Sequence, residues 1–91
     1  MMHCVYNVIY SDNALKELKK LDKQQAKIII AWISKNLLGC KNPRLHGKPL
    51  TADMKGSWRY RVGSYRLLAN IKDREIVIEI ISVGHRRSIY K

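Results

Sequence analysis

Arg59, Arg61 and Arg66 are the residues of this chain whose type and spacing point most directly to chemistry. They lie in the run 58–66, Trp-Arg-Tyr-Arg-Val-Gly-Ser-Tyr-Arg, where apolar and basic residues alternate. Side chains of a strand point to opposite faces in turn, so this run reads as a strand entering a hairpin. Gly63 and Ser64 form its two-residue turn, with glycine first as a type II′ turn prefers. Val62 then stands opposite Tyr65, Arg61 opposite Arg66, Tyr60 opposite Leu67, Arg59 opposite Leu68 and Trp58 opposite Ala69. One face carries Trp58, Tyr60, Val62, Tyr65, Leu67, Ala69 and Ile71, and the other gathers the three guanidiniums. Like charges directly opposite across a strand pair repel and destabilise it. Such a cluster points to an anionic partner, and arginine suits phosphate because its planar fork donates two parallel hydrogen bonds. The competing explanation is a solvated basic edge that blocks strand-to-strand aggregation.

The totals agree with an anionic partner. A chain of 91 residues with a formal net charge of +11 is one small domain, 1–91, facing a polyanion: nucleic acid first, an acidic membrane or protein second. No apolar run approaches the roughly 18 residues of a membrane span. The opening Met-Met-His-Cys-Val-Tyr lacks a cationic region followed by an apolar one, so a cytoplasmic protein is expected. Cys4 and Cys40 have no C-x-x-C spacing and read as reduced thiols. The ligand clusters of a zinc site are missing, and neither a metal nor a cofactor is expected.

The elements that must position the arginines follow from periodicity. The β-rich run 3–10 is a first strand, and Ser11 or Asp12 caps a helix after it. Ala14, Leu15, Leu18 and Leu21 recur at helical spacing, with Lys16, Lys19, Lys20 and Lys23 outward. A break near Leu21 and Asp22 starts a second helix, striped by Ala26, Ile29, Ile30, Ile33 and Leu37. Ile28 and Trp32 widen that stripe, which implies burial on more than one side. Gly39 is the stop. The segment 40–56 is irregular, punctuated by Pro43, Gly47, Pro49 and Gly56, and carries Lys41, Arg44, His46, Lys48 and Lys55. These are loop charges that extend the basic surface beside the hairpin. After the strand 67–71, the residues 72–75 turn the chain, and 76–83 is a last strand ended by Gly84. That turn sets Ile71 opposite Ile76 and places Glu79 near Leu68 on the arginine face, as an ion-pair partner for the arginines or as a catalytic carboxylate. The expected fold is α+β, in the order β-α-α-β-β-β: a mostly antiparallel sheet with a helical hairpin on one face and a basic, partly open face behind.

The helical hairpin, the Leu45…Gly47-Lys48-Pro49-Leu50 segment, the Trp58-Arg59-Tyr60-Arg61…Tyr65-Arg66-Leu67 hairpin and the ending Ser82-Val83-Gly84-His85-Arg86…Tyr90 together resemble the RelE/ParE toxin superfamily, and most closely its RelE branch. The resemblance spans essentially the whole chain. It implies a toxin of a type II toxin–antitoxin system: a ribosome-dependent mRNA endonuclease that cuts in the A site and is silenced by a RelB-like antitoxin with an acidic or amphipathic segment. Arg59 and Arg61 match two basic positions of the family's second strand, Arg66 the arginine of its third, Arg86 the arginine after the Val-Gly-x turn, and Tyr90 the C-terminal tyrosine. The sequence departs from the best-known member in having arginine where lysines stand on the second strand. Arginine is a poor proton acceptor, since its pKa exceeds roughly 12. If that member's lysines take the proton, this chain uses another base.

Cleavage by a 2′-hydroxyl needs a base, cations for the phosphorane and an acid for the leaving oxygen. Arg59, Arg61, Arg66 and Arg86 supply the cations. Tyr90, in their field, is a candidate base or a platform for a splayed nucleotide. Histidine is the side chain whose ordinary pKa lies nearest neutrality, so His85 is a candidate acid, or a capping residue after Gly84. Arg44, His46, Lys48, Lys55 and Arg87 are candidates for contact with ribosome or mRNA. Two readings compete with the nuclease: a ParE-like inhibitor of DNA gyrase, and a nucleic-acid-binding module without catalysis.

Overall fold

The computed structural model describes residues 5–50 and 57–85. Lys55, Arg86, Arg87 and Tyr90, together with the first residues of the expected opening strand, lie outside them. The described chain builds one five-stranded sheet backed by two helices.

Strand β1 spans Asn7–Tyr10, helix α1 Asp12–Lys20 and helix α2 Lys23–Asn36. Ser11 rather than Asp12 is the α1 cap: its side chain accepts from the Ala14 N–H at 3.0 Å, satisfying one of the orphan donors of the first turn. Asp12 in the first turn and Lys19 and Lys20 in the last complement the helix dipole. The expected break is present, with Leu21 closing α1 and Asp22 opening α2. After α2 the chain returns to β1, where the Gly39 N–H donates to the Tyr6 carbonyl at 2.7 Å and the Tyr6 N–H to the Cys40 carbonyl at 2.8 Å.

The segment expected to be irregular holds more structure than its punctuation suggests. Pro43–Leu45 forms a 3-10 turn, and β2, Lys48–Pro49, adds a short edge strand to the sheet. Strands β3 (Ser57–Val62), β4 (Tyr65–Lys72) and β5 (Val77–His85) complete the order β1-β5-β4-β3-β2, antiparallel except where β1 runs parallel to β5. The β3–β4 register is the one the hairpin turn dictates, from Val62 opposite Tyr65 to Trp58 opposite Ala69. Gly63 takes a positive φ of 60° and Ser64 does not, as a type II′ turn requires.

The β4–β5 register departs from expectation. Ile71 faces Ile78 rather than Ile76, and Leu67 faces Val83 rather than Ile80. The turn runs on through Ile76, held at a φ of 56°, a left-handed conformation that β-branched residues rarely adopt. Between Leu68 and Ala69 the pairing also shifts, leaving Ile81 as an extra residue on β5, a β-bulge. Glu79 consequently faces Asn70 and pairs with Lys72 at 3.3 Å, away from the arginines it was expected to neutralise. Gly84 does not end the strand; β5 continues through His85.

The core lies between helices and sheet: Ala14 and Leu18 of α1, Ile29 and Ile33 of α2, and Leu37 pack on Tyr60, Val62, Leu67, Ala69, Ile78, Ile80 and Val83. Each buried branched side chain contributes roughly 1.5–3 kcal/mol. Helix α2 is buried on one side only, since Ile28 and Ile30 are 48% and 42% exposed. No helix among the described residues is long and apolar enough to cross a membrane.

Candidate anion-binding site

The sheet face away from the helices carries a pocket of about 250 Å³ lined by Gly47, Lys48, Arg59, Tyr60, Arg61 and Arg66. Three strands build it. Lys48 on β2 stands directly opposite Arg59 on β3, and Arg61 on β3 directly opposite Arg66 on β4. Two like-charged rungs therefore sit side by side, and no carboxylate is among the lining residues. Arg61 is exposed, while Arg59 and Arg66 are half-buried, and the Arg66 Nε is enclosed. Guanidinium groups that are partly desolvated interact more strongly with an anion than exposed ones do.

Tyr60 fixes one side of the pocket from below. Its ring is 1% exposed, its hydroxyl donates to the Pro43 carbonyl at 2.8 Å, and Trp32 leans on it at 5.8 Å. Burial pushes its hydroxyl far above the usual phenol range, so it is a neutral donor and not a base. Gly47 brings the β2 segment against this ring. Its φ is 74°, and a Cβ there would fall on the Arg59 carbonyl oxygen and within 2.9 Å of Tyr60 Cδ1. In the sequence Gly47 reads as loop punctuation and as part of the Gly47-Lys48-Pro49-Leu50 motif, neither of which shows this close approach. The proline two residues later, a residue tolerated at sheet edges, is the signal of a short edge strand.

Of the sequence candidates, Arg59, Arg61, Arg66 and Lys48 share the pocket. His85 stands at the end of β5 opposite Tyr65, edge-on to its ring at 5.6 Å, with Gly84 beside it opposite Arg66. It is not among the lining residues. Arg44 is held elsewhere. It grips Asp73 through two bonds of 3.0 Å, lies over the Trp58 ring at 5.7 Å, and shares Asp73 with the Tyr6 hydroxyl at 2.8 Å. These contacts tie the 3-10 turn to the β4–β5 turn. His46 precedes Gly47, meets Trp32 edge-on at 5.7 Å, and accepts the Trp58 indole N–H on its carbonyl at 2.6 Å. Trp58 and Tyr65 pack against the core from the helix side, as the alternation requires.

Comparison with known proteins places this architecture. Residues 8–90 match the family model described as the ParE toxin of type II toxin–antitoxin systems. Toxin RelG of Mycobacterium tuberculosis is 31% identical over 86 residues, covering 94% of this chain and 97% of that protein. Toxin RelE of the same organism is also 31% identical over 86 residues, covering 94% of this chain and 87% of its own. Among solved structures, the M. tuberculosis RelBE2 toxin–antitoxin complex superposes with a TM-score of 0.75 at 30% identity, covering 94% of this chain and 95% of that one. The intact E. coli RelBE complex gives 0.59 at 25% identity, covering 88% and 95%.

Proposed function

Because the chain belongs to the ParE toxin family of type II toxin–antitoxin systems, within the RelE/ParE superfamily, we propose that it is a ribosome-dependent endoribonuclease that cuts mRNA in the A site and is held inactive by a cognate antitoxin. The observation that carries the reading is the cluster of Lys48, Arg59, Arg61 and Arg66 in one pocket. The reaction is transesterification. The 2′-oxygen loses its proton to a base and forms a bond to phosphorus; the 5′-oxygen leaves and takes a proton. A phosphate seated between the two cationic rungs meets Arg59 and Lys48 on one side and Arg61 and Arg66 on the other. Their charge stabilises the extra negative charge of the phosphorane and lowers the pKa of the attacking hydroxyl. Tyr90 remains the proton-transfer candidate; His85 shares the Tyr65 side of the sheet, away from the pocket. Arginines that are always protonated leave the protein weak on free RNA, and the ribosome supplies orientation, which accounts for a large share of such catalysis.

An antitoxin partner is supported by the RelB-bound structures of the similar toxins. The ParE name of the matching family favours a second reading, inhibition of DNA gyrase without nuclease chemistry. Primer extension separates the two. An mRNA translated in a purified system with this protein is expected to show cuts inside A-site codons. The same mRNA without ribosomes shows none, and Arg66→Ala abolishes the cuts while remaining folded. Uncut mRNA in both tubes, with DNA damage on expression in cells, would sink the nuclease reading and favour the gyrase one.

A further inference from the structure

Strand β5 runs on past its parallel partner. β1 pairs with it only as far as Tyr10 opposite Ile80, so the backbone groups of 81–83 along that edge need other partners. Helix α1 and its cap supply them. The Ser11 N–H donates to the Ile80 carbonyl at 2.9 Å, the Ser11 hydroxyl to the Ile81 carbonyl at 2.9 Å, and the Asn13 amide to that same carbonyl at 3.1 Å. Glu17 Oε1 accepts from the Val83 N–H at 2.9 Å, the Ser82 hydroxyl at 2.8 Å and the Asn13 amide at 3.1 Å. All of these bonds converge on the place where the β4–β5 ladder shifts register.

The shift decides what stands beside the cationic pocket. Before it, Ala69 faces Ile80 and Ile71 faces Ile78. Continued unbroken, that register would set Ser82 opposite Leu67 and Val83 opposite Arg66. The extra residue, Ile81, moves the pairing on by one. Val83 enters the core against Leu67, Gly84 comes opposite Arg66 and His85 opposite Tyr65. A one-residue slip turns every following side chain to the other face. Whether a branched apolar residue or a glycine adjoins Arg66 therefore depends on the bulge, and the bulge is held from α1.

We propose that Glu17 is a positioning residue of the cationic site: its carboxylate oxygen, with Ser11 and Asn13, fixes the Ile81 bulge that sets Gly84 beside Arg66 and His85 beside Tyr65. This deepens the nuclease reading and rests on it. Glu17 is not among the residues lining the pocket, so its effect travels through β5. Its task is to accept hydrogen bonds rather than to carry charge, and a glutamine carbonyl oxygen can perform it.

The test compares wild type with Glu17→Gln, Glu17→Ala and Asn13→Ala in single-turnover cleavage of mRNA on programmed ribosomes. The Val83 amide and the Arg66 Nε–Hε group are followed by NMR in the same proteins. Glu17→Gln is expected to cut at the wild-type rate with both resonances in place. Glu17→Ala is expected to cut about 10- to 100-fold more slowly at saturating ribosomes, as a misplacement of about 1 Å produces, with unchanged half-saturation and both resonances moved. Asn13→Ala shifts them the same way by less, and carries the test if Glu17→Ala fails to fold. Equal losses in Glu17→Gln and Glu17→Ala would overturn the proposal, as would a folded Glu17→Ala cutting at full rate. A wild-type protein that cuts nothing sinks the nuclease reading alone. Positioning then stands if Glu17→Ala moves the Arg66 resonance and falls if it does not.

Discussion

Gly47→Ala is the substitution whose consequence the structure fixes most tightly. Gly47 and Gly39 have nearly the same backbone conformation, with φ of 74° and 78°, yet different surroundings. A Cβ at Gly39 meets nothing within 4 Å, whereas one at Gly47 falls on the Arg59 carbonyl oxygen. Both substitutions bear the left-handed penalty of an L residue, about 1–2 kcal/mol. Only Gly47→Ala also collides with backbone, which no change of rotamer relieves. The β2 segment must then lift from β3, forfeiting the rungs Lys48–Arg59 and Pro49–Trp58 and the Leu50 N–H bond to the Ser57 carbonyl. At about 0.5–1.5 kcal/mol for each hydrogen bond lost, Gly47→Ala is expected to cost about 2–4 kcal/mol against about 1–2 for Gly39→Ala. For a domain of this size each kcal/mol moves the melting temperature by about 4–8 °C, so the two variants separate by roughly 10 °C. Thermal unfolding followed by circular dichroism, run side by side, measures the gap. Ribosome-dependent cleavage is expected to fail in Gly47→Ala, where Lys48 leaves the pocket, and to persist in Gly39→Ala. Equal melting temperatures, or a more stable Gly47→Ala, would refute the close-approach argument.

Two further outcomes follow from the electrostatics. The Arg44 guanidinium and then the Tyr6 hydroxyl hold the Asp73 carboxyl below the usual carboxylate range. Its stabilising effect is therefore complete above the unfolded pKa, about 3.9, and lost as pH falls through the lower folded value. Urea unfolding at a series of pH values is expected to show Asp73→Asn less stable than wild type at pH 7 by less than about 1 kcal/mol, since the pair is exposed, with the difference vanishing in acid. Arg61→Thr removes one of two directly opposed guanidiniums, and is expected to stabilise the fold by about 0.2–1 kcal/mol. The gain shrinks with added salt, and the loss of mRNA cutting accompanies it.

Much of the fold was legible because the β3–β4 hairpin states its own register. An alternating run, a glycine-first turn and a second alternating run leave one pairing that puts Tyr60, Val62 and Leu67 on one face, and that pairing is the one observed. The β4–β5 turn was misread because its last residue, Ile76, is a strand former by type. The sequence gives no hint that it takes a left-handed conformation. The bulge at Ile81 was equally hidden, since it depends on Ser11, Asn13 and Glu17, about 70 residues earlier in the chain. The stripe of helix α2, widened by Ile28 and Trp32, implies burial on more than one side, but a two-layer domain has only one face to offer it, and Ile28 and Ile30 stay exposed. In the site, periodicity alone brought the arginines together. Arg44 could not be told from an RNA-binding residue, because its partner Asp73 is distant in sequence.

The two like-charged rungs bear unequally on the structure. Arg61 and Arg66 belong to long central strands whose other face is sealed by Tyr60, Val62, Leu67 and Ala69. A repulsion of a few tenths of a kcal/mol is small against roughly 1.5–3 kcal/mol for each buried side chain. Lys48 and Arg59 join a two-residue edge strand, with exposed residues, to that sheet. There the same repulsion acts on an element with little else to hold it. An anion seated between the rungs would reverse the sign of the interaction and draw β2 onto β3. Occupancy of the pocket and closure of the edge strand would then be thermodynamically linked: whatever weakened one would weaken the other by the same free energy. Gly47 stands where that linkage is made, pressed on the carbonyl of Arg59. Substitution at this glycine is therefore expected to lower stability and anion affinity together, and at Arg61 to move them in opposite directions.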